Sequence, residues 1–218
     1  MTKPSEIGFS KDTIAEIILS TYNPDGKPNA APMGATLQTE NQLALTLYNS
    51  SQTLKNLQTT KCAVLNVTFD IDLFYKTAFK EANPNSTLPQ EWFSKAETVD
   101  APKLKAAEAT IEVTVAELKS IDAERIQTTC CVTHINAQKT LPIAPNRAFS
   151  AALEAIIHAT RIKVFLQNSR GNKAQTQNLF QSIDICRNVV YHAAPNSHYA
   201  EVMADLIQLI DSWRKPPA

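Results

Sequence analysis

The apolar residues of this chain change period once, and that change decides the fold class. Up to about residue 137 they alternate: "AEATIEVTVAELKSI" (107–121) and "ERIQTTCCVTHINA" (124–137) read as two antiparallel strands. From Asn146 they follow helical spacing, with Phe149, Leu153, Ile156, Thr160 and Val164 on one stripe. Further strands are predicted at 13–22, 29–37, 42–50 and 61–69, with a short helix at 51–59 between the third and fourth. Helices are predicted at 146–167, 172–193 and 196–213; Gly171 ends the first connection and Pro195 separates the last two. Many strands, short polar turns and one intervening helix point to a small antiparallel barrel, so the class is α+β. The expected organisation is a barrel domain over 1–145 and a C-terminal helical region over 146–218, with the boundary near 142–145. An excursion at 80–106 carries Pro84, Pro89 and Pro102 together with Trp92 and Phe93. Two roles stay open for it: its aromatics pin it to the barrel, or it closes over a ligand.

Composition removes several function classes. Lys+Arg and Asp+Glu both number 21, and a chain without net charge offers no broad electrostatic footprint for nucleic acid. No stretch approaches the roughly 18 to 20 apolar residues of a membrane span. The opening "MTKPSEIGFSKDT" has no apolar core of a signal peptide, so a cytoplasmic location is expected. The cysteines Cys62, Cys130, Cys131 and Cys186 have no CxxC spacing, and Cys130 and Cys131 would face opposite sides of a strand. No His pair has metal-ligand spacing; His134 reads as a satisfied strand residue, and His192 and His198 as surface or capping groups. No metal site is expected.

The glycines are more informative. Of four in the chain, Gly26 and Gly34 fall within "STYNPDGKPNAAPMGA" (20–35), among Pro24, Pro28 and Pro32. Asn-Pro-Asp-Gly is turn chemistry, in which Gly26 supplies a positive φ. Gly34 stands where a strand should be resuming, and a strand glycine points to a close approach to the backbone. Pro32, lacking an N–H, points to an edge or bulge. Downstream, "LYNSSQTLKNL" (47–57) launches the short helix from Asn49, Ser50 and Ser51, with Thr53, Lys55 and Asn56 in its first turns. A helix N-terminus with hydroxyls, an amide and a lysine is a candidate phosphate cradle; the simpler reading makes Ser50 or Ser51 an N-cap. A flat ring lying along Met33-Gly34-Ala35 with its phosphate tail at Thr53 would use both stretches.

With "PNRAFSAALEAIIHATRI", these blocks resemble an uncharacterised family of flavoproteins with the FMN-binding split barrel, widespread in methanogenic archaea and present in some bacteria. More distantly, "GKPNAAPMG" and the Ser51-x-Thr53-x-x-Asn56 spacing are similar to flavin reductases, and Thr53-Leu54-Lys55 to the Ser-x-Lys of pyridoxamine phosphate oxidases. The resemblance implies FMN, with Asn29, Ala31, Met33, Gly34 and Ala35 near the ring and Ser51, Thr53, Lys55 and Asn56 near the phosphate. It also implies a homodimer with flavin at the interface and an oxidoreductase of unassigned substrate. The alternative is a flavin-carrying or flavin-sensing partner without turnover.

On the helix at 146–167, Arg147, Glu154, His158 and Arg161 share a stripe displaced from the apolar face. They form either an exposed ion-paired face or, through His158 and Arg161, part of the flavin or substrate pocket. No catalytic acid or base is identified.

Overall fold

The computed structural model describes residues 2–11, 13–138, 146–168 and 173–214, the side chains of 167 and 168 excepted. The expectations for 142–145 and for Gly171 lie outside these residues. The chain gathers into two compact units, Met1–Thr68 with Lys80–Leu141, and Phe69–Phe79 with Pro142–Ala218.

In the first unit lie β1 (Ala15–Tyr22), β2 (Pro28–Thr39), β3 (Gln42–Tyr48), α1 (Gln52–Thr60) and β4 (Cys62–Val67). After the second unit's α2 (Ile71–Ala78) follow β5 (Phe93–Lys95), β6 (Pro102–Leu104), β7 (Ala109–Ser120) and β8 (Arg125–Ala137). Six of these strands close an antiparallel barrel in the order β1-β2-β3-β8-β7-β4. The closure is Ile18 against Asn66, Leu19 against Leu65 and Ser20 against Val64. Gly26 takes φ 76° in the β1–β2 turn, where Gly26 N–H donates to the Asn23 carbonyl and Asn23 N–H to the Lys27 carbonyl, both at 2.9 Å.

Alternation fills the barrel. Ile17, Leu19, Ala35, Leu37, Leu43, Leu45, Leu65, Ile111, Val113 and Cys130 share one core, which α1 joins through Leu54 and Leu57. Burial pushes the Cys130 thiol up to about 12, so it behaves as a small apolar group. On the outside of β4, Cys62 and Val64 pack with Ala96, Val99 and Ala101 of the excursion. Asn66 fixes that covering: its Nδ2 donates to the Ile18 carbonyl and Ser20 Oγ at 2.8 Å, and its Oδ1 accepts from Leu104 N–H at 2.8 Å. Of the excursion's two aromatics, Phe93 is buried and Trp92 half-buried, while its contacts with β4 come from Ala96, Val99, Ala101 and Leu104.

The second unit contains α2, α3 (Arg147–Asn168), α4 (Lys173–Ala193) and α5 (His198–Arg214). Helix α2 was not anticipated; Asp70 caps it, accepting from Asp72 N–H at 2.9 Å and Leu73 N–H at 3.2 Å. Phe149 contacts Phe69 and Phe74 at centroid distances of 5.5 and 6.3 Å, and Phe79 contacts Trp213 at 5.5 Å, so aromatic packing holds residues 69–79 in this unit. The expected stripe on α3 is displaced. Its buried residues are Ala148, Ala152, Ala155, Ile156, Ala159 and Ile162, whereas Val164 is 42% exposed. Small side chains let neighbouring helices approach closely, and counting alanine as weakly apolar hides that face. Among the described residues, no helix is long and apolar enough to cross a membrane.

Glu112 is fully buried on β7, and its carboxylate accepts from Glu97 N–H at 2.7 Å, Thr98 N–H at 2.6 Å and Thr98 Oγ1 at 2.7 Å. Burial works to raise its pKa, but these donors outweigh it and hold the carboxyl below the ordinary 4.5. A folded pKa below the unfolded one gives stability that is complete above the unfolded value and is lost as pH falls through the folded one. Replacement by Ala removes the charged acceptor of three hydrogen bonds, so Glu112→Ala should cost about 3 kcal/mol in urea denaturation at pH 7. Glu112→Gln should flatten the loss of stability below pH 4.5.

Candidate functional site

Strand β2 has two different halves. β1 pairs with it in unbroken register from Ala35 back to Pro28, whereas β3 pairs with it only between Ala35 and Thr39. Among the described residues, no strand pairs with the other edge of 28–34. Pro32 lies in this one-neighbour half, opposite Ile18, where a missing N–H is tolerated. The residues expected near a ring do not share a face. Ala35 is in the barrel core with Met33 packed against it, while Gly34 stands opposite Glu16. A Cβ on Gly34 would meet Ile14 Cγ2 at 2.7 Å, so within the chain it is Ile14 that comes close. Ile14 is 68% exposed and precedes the strand, so its side chain has solvent to move into.

The start of β2 and the face of α1 enclose a polar cluster. Ser51 is the N-cap of α1: its Oγ accepts from Leu54 N–H at 3.2 Å. One turn on, Thr53 and Asn56 turn inward and are buried. Asn56 Nδ2 donates to Thr21 Oγ1 at 2.9 Å and to Asn23 Oδ1 at 3.0 Å, tying the helix to the end of β1 and its turn. Asn29 Nδ2 donates to Thr53 Oγ1 at 3.2 Å and Thr21 Oγ1 at 3.4 Å. Gln52 Nε2 closes the cluster on Asn56 Oδ1 at 2.8 Å. All these side chains are neutral.

The charge comes from elsewhere than expected. Lys55 is exposed, about 200° around α1 from Thr53 and 100° from Asn56, and is not brought into the cluster. Lys80, the first residue after α2 and its Phe79 cap, instead donates from Nζ to Asn29 Oδ1. It is half-buried, and burial lowers the pKa of its amine. Sequence reasoning missed it; its one signal was its position at the start of the excursion.

Of the remaining expected residues, Ala31 is half-buried on the one-neighbour half of β2. His158 and Arg161 belong to α3 in the helical unit. His158 Nε2 lies 3.4 Å from Glu154 Oε1, its Nδ1 is buried with no partner among the described residues, and Arg161 is exposed. Burial lowers the His158 pKa, Glu154 opposes that shift and Arg161 adds to it. Glu154 and His158 are thus neighbours one turn apart on α3.

Residues 15–139 match the N-terminal domain of a protein family of unknown function, DUF447, which is more than half of the chain. The chain belongs to the DUF447 family. An FMN-bound DUF447 protein from Methanosarcina mazei is 25% identical over 94% of this chain and 98% of its own, with a TM-score of 0.76. Two others share the fold of the barrel. Component B of the nitrilotriacetate monooxygenase from Bacillus cereus is 12% identical over 63% of this chain and 76% of its own, at a TM-score of 0.52. A Shewanella frigidimarina protein with a split barrel domain is 10% identical over 62% of this chain and 75% of its own, at 0.50. No protein of curated function matches the chain. This DUF447 chain is thus a split barrel followed by helices, as its sequence led one to expect.

The cluster is also a stability element. Thr21 is fully buried and accepts from both asparagines. Thr21→Val should therefore cost about 1 to 3 kcal/mol in chemical denaturation. Lys55→Ala should stay within about 0.5 kcal/mol of the parent, as exposed substitutions do.

Proposed function

We propose that this chain is an FMN-binding flavoprotein that works in redox chemistry as a homodimer, with flavin at the subunit interface. The observation that carries the reading is the one-neighbour half of β2 running into a buried cluster of amides and hydroxyls at the start of α1. The residues fit the group. A flat ring needs a backbone edge with little side-chain bulk, and "NAAPMGA" supplies one from Asn29 to Ala35. A phosphate needs convergent donors; the hydroxyls of Ser51 and Thr53 and the first turn of α1 supply them, and the amides of Asn29 and Asn56 hold that turn in place. Full-length similarity to an FMN-bound DUF447 protein supports the same cofactor here.

When bound, the flavin supplies transfer of hydride or of single electrons. The chain's own residues would hold it: the β2 edge from Asn29 to Ala35 at the ring, and Ser51, Thr53 and the first turn of α1 at the tail. No proton-transferring residue is assigned, so turnover rests on the flavin and on a partner substrate. The dimer reading rests on the split-barrel resemblance.

The visible absorption spectrum of the purified protein, followed by FMN titration, tests the cofactor. A bound-flavin spectrum, or saturable quenching of FMN fluorescence, is expected. Thr53→Ala with Asn56→Ala should weaken FMN at least tenfold, the loss of about one charge-assisted hydrogen bond. A colourless parent that ignores FMN overturns the reading. Sedimentation of the loaded protein should give twice the chain mass, and a monomer at FMN saturation would remove the interfacial site.

A further inference from the structure

We propose that Lys80, at the start of the excursion, is the cation that neutralises the phosphate of the bound flavin, in place of Lys55 on α1. The inference rests on the FMN reading above and assigns a residue within that site. Three observations carry it. Lys80 Nζ donates to Asn29 Oδ1, and the other end of the same amide donates to Thr53 Oγ1 at 3.2 Å, so the ammonium is one side chain away from the start of α1. The cluster it joins, Thr21, Asn23, Asn29, Gln52, Thr53 and Asn56, contains no charge of its own. Among the described residues, no carboxylate pairs with Lys80, although it is half-buried.

A half-buried ammonium without a counter-charge is costly unless something anionic completes it. Its depressed pKa has burial as its whole cause, with no acidic neighbour acting on it. A phosphate of about two negative charges beside Thr53 would supply the missing partner. Lys55, exposed on the far side of α1, would have to fold back through solvent to do the same.

The test compares FMN with riboflavin, which carries the same ring and lacks the phosphate, on the full chain by fluorescence titration. Lys80→Met should weaken FMN about ten- to hundredfold, the range for removing one charged hydrogen-bond partner, and change riboflavin less than about twofold. Lys80→Gln keeps a donor for Asn29 without the charge, and should lose FMN affinity like the Met variant while keeping the parent's melting temperature. FMN affinity of the parent should fall as salt is raised, and this dependence should shrink in both variants. Equal loss of FMN and riboflavin would make Lys80 a structural residue and overturn the proposal. So would an undiminished FMN affinity, or a selective FMN loss in Lys55→Met that Lys80→Met does not share. If the parent binds neither flavin, the FMN reading itself falls and takes this assignment with it; if the parent binds FMN and only the Lys80 result fails, that reading stands.

Discussion

The structure depends on a strand that is paired on both sides for only part of its length. From Ala35 to Thr39, β2 is an ordinary barrel strand with neighbours β1 and β3. From Pro28 to Gly34 its one strand neighbour among the described residues is β1. An unpaired strand edge invites intrusive pairing with another chain, and proteins blunt such edges with proline or cover them. Here Pro32 stands in the middle of the edge, removing one donor. The half-strand is short, and Ala30, Ala31 and Gly34 leave it with little bulk. The same geometry that would be a liability in a plain barrel is what a flat heterocycle with hydrogen-bonding edges requires.

Two buried asparagines show how differently one side chain can be used. Asn66 is satisfied by the barrel unit alone: its amide meets the Ile18 carbonyl, Ser20 Oγ and Leu104 N–H, and the result is a covering pinned to the barrel. Asn29 has an equally buried amide, but its oxygen is met by the ammonium of Lys80. Removing Asn66 would leave a backbone carbonyl of β1 and a backbone N–H of β6 unmet. Removing Asn29 would release a cation. The first arrangement serves only the fold, whereas the second leaves half of an ion pair for something else to complete.

The sequence displayed the elements whose period is unambiguous. The barrel strands and helices α3 to α5 lie within a few residues of the predicted spans, because alternation and 3.6-residue spacing were sustained over long stretches. Helix α2 was hidden because "IDLFYKTA" is eight helical residues, too short for a period, and only the capping Asp70 announces it. The buried face of α3 was hidden because its residues are mostly alanine, so a stripe of larger side chains displaced the expected face, the two sharing Ile156. In the site, Thr53 and Asn56 were legible as i, i+3 neighbours on the first turns of a helix. Lys80 was not, since it reaches Asn29 across 51 residues and no spacing rule connects them. Gly34 was legible as a close approach, but the sequence could not name Ile14 as the group that approaches.

The location of Lys80 follows from the electrostatics. A lysine on the exposed side of α1 would meet a phosphate through water, where two opposite charges 4 Å apart gain only about 1 kcal/mol. At the effective dielectric of a protein surface the same separation is worth about 4 kcal/mol, so partial burial strengthens the attraction to a phosphate while costing the cation part of its hydration. That gain is available only if the lysine is held without a carboxylate that would neutralise it first. Lys80 meets both conditions, since the chain re-enters the barrel unit at this residue and Asn29, a neutral acceptor, holds the ammonium in place. The excursion therefore contributes more than the covering over β4: its first residue brings charge to a cluster that the barrel strands and α1 supply only with dipoles.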